Sequence, residues 1–247
     1  MSETSVDHWH WLRDFTAARI ALGRAGNGLP TAHVLSFALA HSRARDAIFT
    51  ELDVDSLKAE CEQAGLTTIL VRSRAHDRRT YLLRPDLGRR LDPESANLLS
   101  LARAPHSDIV FVVSDGLSAT AVQRHALPVL RDARALLRDF TIGPVVIATQ
   151  ARVALADEAG ALLGARIAVS LIGERPGLSS PDSLGIYVTY RPQVGNVDEA
   201  RNCISNIRPA ALTPANAARE LARLLRAVHF NGRSGVGLPL DTVALPD

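Results

Sequence analysis

The sequence predicts an α/β fold: a Rossmann-like, mostly parallel sheet with flanking helices, preceded by a helical amino-terminal region with a small β-hairpin. Three observations predict it. From Asp108 onward, short apolar runs alternate with helical-period segments, the pattern of a parallel sheet with right-handed crossovers. Runs such as Ile109 to Val113 and Ala165 to Ile172 leave no polar face, as strands buried on both sides do. The first hundred residues instead space their apolar side chains at helical period, between Gly- and Pro-containing turns. The expected organisation is therefore a helical region with its hairpin over 1–104 and an α/β, ligand-contacting domain over 105–247.

Taken in order, Trp9 to Leu22 and Ala32 to Phe49 read as a helical hairpin, broken by Gly26-Asn27-Gly28-Leu29-Pro30, which no helix crosses. Asp55 to Ala64 reads as a helix closed by Gly65. Thr67 to Val71 and Thr80 to Leu83 read as two strands joined by the charged turn Ala75 to Arg79. Asp92 before Pro93 caps a helix that reaches Ala102. Then come a strand at Ile109 to Val113, a long helix at Ser118 to Asp139, a strand at Pro144 to Ala148, a helix at Ala154 to Leu163, a strand at Ile167 to Ile172 and another at Gly185 to Tyr190. Thr213-Pro214 opens a last amphipathic helix with Leu221, Leu224, Leu225 and Val228 on its apolar stripe. The Gly- and Pro-rich tail from Asn231 to Asp247 reads as surface chain or a partner contact.

Composition narrows the function. At 247 residues and 47% hydrophobic, the chain can build a sizeable core, and no apolar run approaches the roughly 18 residues of a membrane span. No basic-then-apolar leader opens the sequence, so the cytoplasm is the expected compartment. Cys61 and Cys203 stand far apart, which excludes a disulfide framework and Cys-x-x-Cys metal spacing. Net charge is only +2. The arginines from Arg72 to Arg90 make one basic stretch, but Tyr81 alone accompanies them and Lys58 is the sole lysine, so a nucleic-acid partner is not expected.

Chemistry concentrates in two places. Gly173-Glu174-Arg175-Pro176-Gly177-Leu178 follows a buried strand, and a carboxylate at the carboxyl end of such a strand points into the crevice where open α/β sheets bind ligands. By itself Glu174 reads equally as an exposed carboxylate paired with an arginine. Arg201-Asn202-Cys203-Ile204-Ser205-Asn206-Ile207 reads as a polar recognition loop with an apolar anchor. Cys203 alone reads as a small buried residue. Asp115-Gly116-Leu117-Ser118 brings a carboxylate and backbone amides to a second strand end, or is simply a turn with an N-cap. No Gly-x-Ser-x-Gly elbow exists, and no nucleophile, base and orienter assemble.

The string GERPGLSSPDSLGIYVTYRP from Gly173, followed by RNCISNIRP from Arg201, resembles the signature of the small subunit of ethanolamine ammonia-lyase, an adenosylcobalamin-dependent enzyme. DIVFVVSDGLS from Asp108 and TAARIALGRAGNGLPT from Thr16 resemble that subunit's other motifs, in the same order, so the likeness runs from about Trp9 to about Leu225. The resemblance implies a carbon–nitrogen lyase subunit, inactive alone, that joins a large catalytic subunit in a hetero-oligomer converting ethanolamine to acetaldehyde and ammonia by radical chemistry. It implies cofactor contacts at Val153, Glu174 and Cys203, with no catalytic residue and no metal ligand in this chain. From the residues alone, Val153 is only an apolar position after a strand. The Asp-x-His-x-x-Gly motif that supplies a lower histidine ligand to some cobalamins is absent, so the cofactor is expected to keep its own base. Some relatives carry an extra amino-terminal helix that targets bacterial microcompartments; only a few polar residues precede Trp9 here, and free cytoplasm is expected over a compartment lumen. A non-enzymatic nucleotide or ligand-binding module would use the same strand-end crevice, on fold analogy alone.

Overall fold

The computed structural model describes residues 4–5, 7–103 and 107–239. A short pair, β1 (Thr4–Ser5) with β2 (Arg24–Ala25), is followed by α1 (Thr31–Phe49) and α2 (Val54–Gln63). Next come β3 (Thr68–Arg72), α3 (Arg78–Leu83), α4 (Pro85–Gly88) and α5 (Pro93–Leu101). The alternating part runs β4 (Ile109–Ser114), α6 (Ala119–Leu136), β5 (Ile142–Thr149), α7 (Leu155–Leu163) and β6 (Ile167–Gly173). It ends with β7 (Leu184–Tyr190), β8 (Arg201–Ile207) and α8 (Pro214–Asn231).

Six strands form one sheet in the order β3-β5-β4-β6-β7-β8. The first four are mutually parallel; β7 and β8 each run antiparallel to the strand before them in the order. The α/β fold with a mostly parallel sheet is thus the one expected. Caps follow sequence chemistry: Asp53, Asp92 and Ser118 accept from the amides of Ser56, Ser95 and Ala121 at the starts of α2, α5 and α6. Gly164 closes α7 in the left-handed region.

Three expectations need correcting. Trp9 to Leu22 is not a helix; only His10–Asp14 turns, as a 3-10 segment. Trp9, Trp11 and Phe15 remain exposed, and short helices draw most of their stability from a packed face that this stretch lacks. Thr80 to Leu83 is not a strand. Asp77 accepts from Thr80 N at 2.6 Å and starts α3, so the charged turn is a helix cap, and β3 pairs with β5 instead of a hairpin partner. Arg201 to Ile207 is not a loop but β8, paired with β7 at the end of the sheet. Of the tail, 240–247 lies outside the described residues.

The two faces of the sheet are covered unequally. On one, α6, α8 and α2 pack over every strand from β5 to β7, with Leu57, Val122, Leu130, Leu221 and Leu225 against Phe111, Val113, Ile147, Val169, Leu171 and Ile186. On the other, α5 and α7 bring Leu99, Leu155, Ala159 and Leu163 against Val110, Val112, Val146, Ala148 and Ala168. That second layer stops at β6. Beyond it the same face continues as Tyr187 and Thr189 on β7, which lie opposite Cys203 and Arg201 on β8; Thr189 and Arg201 are buried, the arginine against Asp157 of α7, whereas Tyr187 is half-buried and Cys203 exposed.

Candidate functional site

The Glu174 carboxylate sits one residue past the carboxyl end of β6 and is firmly held. Its backbone N donates to Ser183 O at 2.9 Å, and the Ser183 hydroxyl donates to Oε2 at 2.5 Å. Asn206 N lies 3.3 Å from both carboxylate oxygens. A Cβ at Gly185 would come within 2.9 Å of Oε1, so that glycine makes the space in which the carboxylate lies along the sheet. Glu174 is half-buried rather than a free surface charge, and none of its partners is an arginine.

Cys203 belongs to the same patch. It stands directly across the ladder from Tyr187. The residue as a whole is exposed, against the buried position its type suggests. Its sulfur is nonetheless shielded enough that desolvation pushes the thiol up from its ordinary value, with the Glu174 charge adding to the rise and the Tyr187 hydrogen bond opposing it. Tyr187 itself is pushed up to about 12, chiefly by burial. Both groups are neutral donors at physiological pH, next to a carboxylate acceptor.

Val153 lies apart from this pair, in the turn between β5 and α7. It is half-buried, and its carbonyl accepts from Ala156 N at 3.1 Å. Ala154 beside it lines a cavity of about 470 Å³ with Asp157, Arg201 and the 194–199 segment, so the Val153 turn and β8 border one depression. At its wall, the buried Arg201 pairs with the buried Asp157 and, at 2.6 Å, with the exposed Asp198. Glu174 and Cys203 are thus brought together directly, and Val153 joins them only through the shared face.

The Asp115 carboxylate does not face a ligand. It is 3% exposed, and its oxygens accept from Gly116 N, Gln150 N and Ala151 N. Ser118 is the N-cap of α6 and donates its hydroxyl to Pro181 O at 2.8 Å. A Cβ on Gly116 would meet Gly173 O at 2.3 Å, so the crevice outside β4 is filled by chain. No group of three or more His, Cys, Asp or Glu among the described residues is placed to hold a metal ion. Nor is any helix among them long and apolar enough to cross a membrane.

Sequence reasoning missed Tyr187, Ser183 and the Arg201–Asp157 pair. A signal existed: Leu184, Ile186 and Val188 alternate with Gly185, Tyr187 and Thr189, the period-2 pattern of a strand that sets Tyr187 on the face opposite its aliphatic residues.

The comparisons with known proteins point one way. The family described as "Ethanolamine ammonia-lyase light chain (EutC)" matches residues 6–239. A protein of Azotobacter vinelandii named ethanolamine ammonia-lyase small subunit is 52% identical over 242 residues, covering 96% of this chain and 90% of its own. Proteins with the same name from Ralstonia nicotianae (52% over 233 residues; 92% of this chain, 86% of theirs) and Pseudomonas putida (51% over 240 residues; 95% and 88%) are similar to the same extent.

Proposed function

Because the chain belongs to the ethanolamine ammonia-lyase light-chain family, we propose that it is the small subunit of an ethanolamine ammonia-lyase and forms one wall of that enzyme's adenosylcobalamin site. The observation that carries the reading is the uncovered part of the sheet: Glu174, Tyr187 and Cys203 meet there, where the α5 and α7 layer ends.

The residues fit a corrinoid. Such a cofactor is a broad apolar ring edged with carboxamides, and it needs a wide surface carrying a few fixed hydrogen-bonding groups. Glu174, held by Ser183 and Asn206, is a fixed acceptor for amide N–H groups. Gly185 keeps that carboxylate close to the sheet, where a Cβ would displace it. Val153 and Cys203 would supply apolar and polarisable contact, the thiol remaining neutral. No protein ligand to cobalt is required of this chain.

When bound, adenosylcobalamin supplies the radical chemistry that turns ethanolamine into acetaldehyde and ammonia, while protein supplies binding and orientation. In this reading the present chain orients and shields. Its tyrosine hydroxyl and thiol stay protonated, and it contributes no acid, base or nucleophile to the substrate. A large subunit would cover the same face, bind the substrate and complete the active enzyme, and this chain alone would be inactive. The exposed Trp9, Trp11, Phe15, Leu35 and Phe37 at the amino-terminal end are consistent with a chain that meets another protein.

Reconstitution tests this. The purified chain, mixed with a large subunit of the family, adenosylcobalamin and ethanolamine, is expected to form a stable complex that releases acetaldehyde, with neither chain active alone. A large subunit that is active with its own small subunit but neither co-elutes nor turns over with this chain would overturn it.

A further inference from the structure

We propose that Asp115, a residue with no access to the ligand, is a positioning residue that locks the Val153 turn and the Glu174 strand end into one frame. The inference rests on the reading of Val153 and Glu174 as corrinoid contacts.

Consider the turn after β5. Gln150 N donates to Asp115 Oδ2 at 2.8 Å and Ala151 N to Oδ1 at 3.1 Å, two consecutive amides on one carboxylate. Gln150 has φ of +53°, a left-handed conformation that its side chain disfavours and that this pair of bonds holds in place. The remaining groups of the turn are also fixed: Ser73 donates to Gln150 O at 2.6 Å, the Tyr81 hydroxyl to Ala151 O at 3.2 Å, and Arg152 N to Gly88 O at 2.8 Å. Val153 is the next residue, so its placement follows from that of the turn.

The residues that follow Asp115 hold the other side. Leu117 N donates to Gly173 O at 2.9 Å, and the Ser118 hydroxyl reaches Pro181 O. Gly173 directly precedes Glu174. A Cβ there would fall 2.1 Å from Ser118 O, which shows how closely the two segments approach. The joint is completed by Arg78, which donates to Gly116 O at 2.8 Å and to Ile48 O at 2.6 Å, with its guanidinium 3.7 Å from the Asp115 carboxylate. One four-residue segment is therefore tied to the Val153 turn by its carboxylate, to the Glu174 strand end by its backbone, and by its hydroxyl to Pro181, two residues before the Ser183 that holds Glu174.

The chemistry requires an acid at this position. Asp115 accepts from three amides, whereas asparagine offers one acceptor oxygen and would turn an NH2 toward an N–H donor. Burial pushes the carboxyl up, while those amides and Arg78 pull it down.

The test uses the assembled complex with the large subunit and compares Asp115→Asn, Val153→Ala and the double variant. Binding of cyanocobalamin by equilibrium dialysis is read beside kcat at saturating adenosylcobalamin. The expected result is a loss concentrated in affinity: a corrinoid Kd raised about tenfold or more by Asp115→Asn, a much smaller fall in kcat, and no further weakening when Val153→Ala is added. An unchanged Kd, or losses that simply multiply, would overturn the proposal. Should Asp115→Asn fail to assemble, Ser118→Ala decides: it removes the bond to Pro181 together with the longer N-cap bond from Ala121 N, is expected to raise Kd severalfold, and should not add to Glu174→Gln; an unchanged Kd overturns the proposal equally. If the wild-type complex bound no corrinoid, the site reading itself would fail, and this inference with it.

Discussion

Cys203 on β8 stands directly across the antiparallel ladder from Tyr187 on β7, and the tyrosine hydroxyl opposes the rise that burial imposes on the thiol's pKa. This pairing predicts the cysteine's reactivity. The thiolate is the reactive form, and here desolvation and Glu174 hold its pKa above the ordinary value of 9.0. Iodoacetamide labelling of Cys203 should still be accelerating with pH above that value. In Tyr187→Phe the opposing hydrogen bond is gone, and the profile should move higher still. Cys61, buried and pushed up to about 11, should label only on unfolding. A Cys203 profile that levels off at or below the ordinary thiol range would contradict the picture.

For Glu174 the prediction separates charge from shape. Glu174→Gln keeps the volume but loses an acceptor-only group that Ser183 and Asn206 hold in place. Corrinoid affinity of the assembled complex should fall by about tenfold, the magnitude of one charge-assisted hydrogen bond. Ser183→Ala leaves the charge and frees the carboxylate, so a loss in the same direction but smaller is expected. Equal affinity in all three proteins would speak against a direct contact.

Adding one methyl group at Gly173 should be costly. Its Cβ would meet the backbone of Ser118 and Asp115, neither of which is the movable end of a side chain. Gly173→Ala is expected to destabilise the chain by about 3 kcal/mol, as overpacking at a site that cannot yield does. Chemical denaturation measures it, and a change below about 1 kcal/mol would show that the two segments can separate.

The Arg201–Asp157 pair gives a fourth prediction. Both side chains are almost fully buried, and removing one partner strands the other's charge. Asp157→Ala should cost about 3 to 5 kcal/mol, whereas Asp198→Ala, at the exposed partner of the same arginine, should cost about 1 kcal/mol or less. Similar losses from the two would overturn the ranking.

Acid sensitivity has an identifiable source in His125 on α6. It is buried, and desolvation with Arg124 nearby lowers its pKa from 6.5, although Asp182 opposes the shift. The unfolded chain therefore takes up this proton at a higher pH than the folded one. The contribution to stability is complete above about pH 6.5 and declines as pH falls through that value toward the lower folded pKa. Urea midpoints should drop on acidification through this window, less steeply in His125→Gln; identical slopes would clear His125 of the effect.

How much of this was legible in the sequence depended on whether the deciding interaction was local. β4 and β6 could be read because both faces are buried and their residues are continuously apolar. The caps Asp92, Ser118 and Thr213 could be read because the bond that defines them spans three residues. Thr80 to Leu83 was too short to show a period, and Asp77, which decides it, lay in what resembled a charged turn. β8 was hidden by polar composition, since Cys203, Ser205 and Asn206 are exposed and only Arg201 and Ile207 at its ends are buried. At the site, the strand end predicted where Glu174 lies, but its neighbours Ser183 and Asn206 come from separate segments that only the folded sheet joins. Val153 carried no signal of its own; the family resemblance singled it out.

The contact between Gly116 and Gly173 also bears on how a large ligand could enter. With no side chain between them, these two backbones meet so closely that a Cβ on Gly116 would fall 2.3 Å from Gly173 O, and the chain itself closes this strand end to a ring-sized ligand. Admission would then be frontal, onto a wall that is already shaped before the guest arrives. On the proposed reading, whatever opens and shuts around the ligand would have to be sought on the opposite side, in a partner subunit.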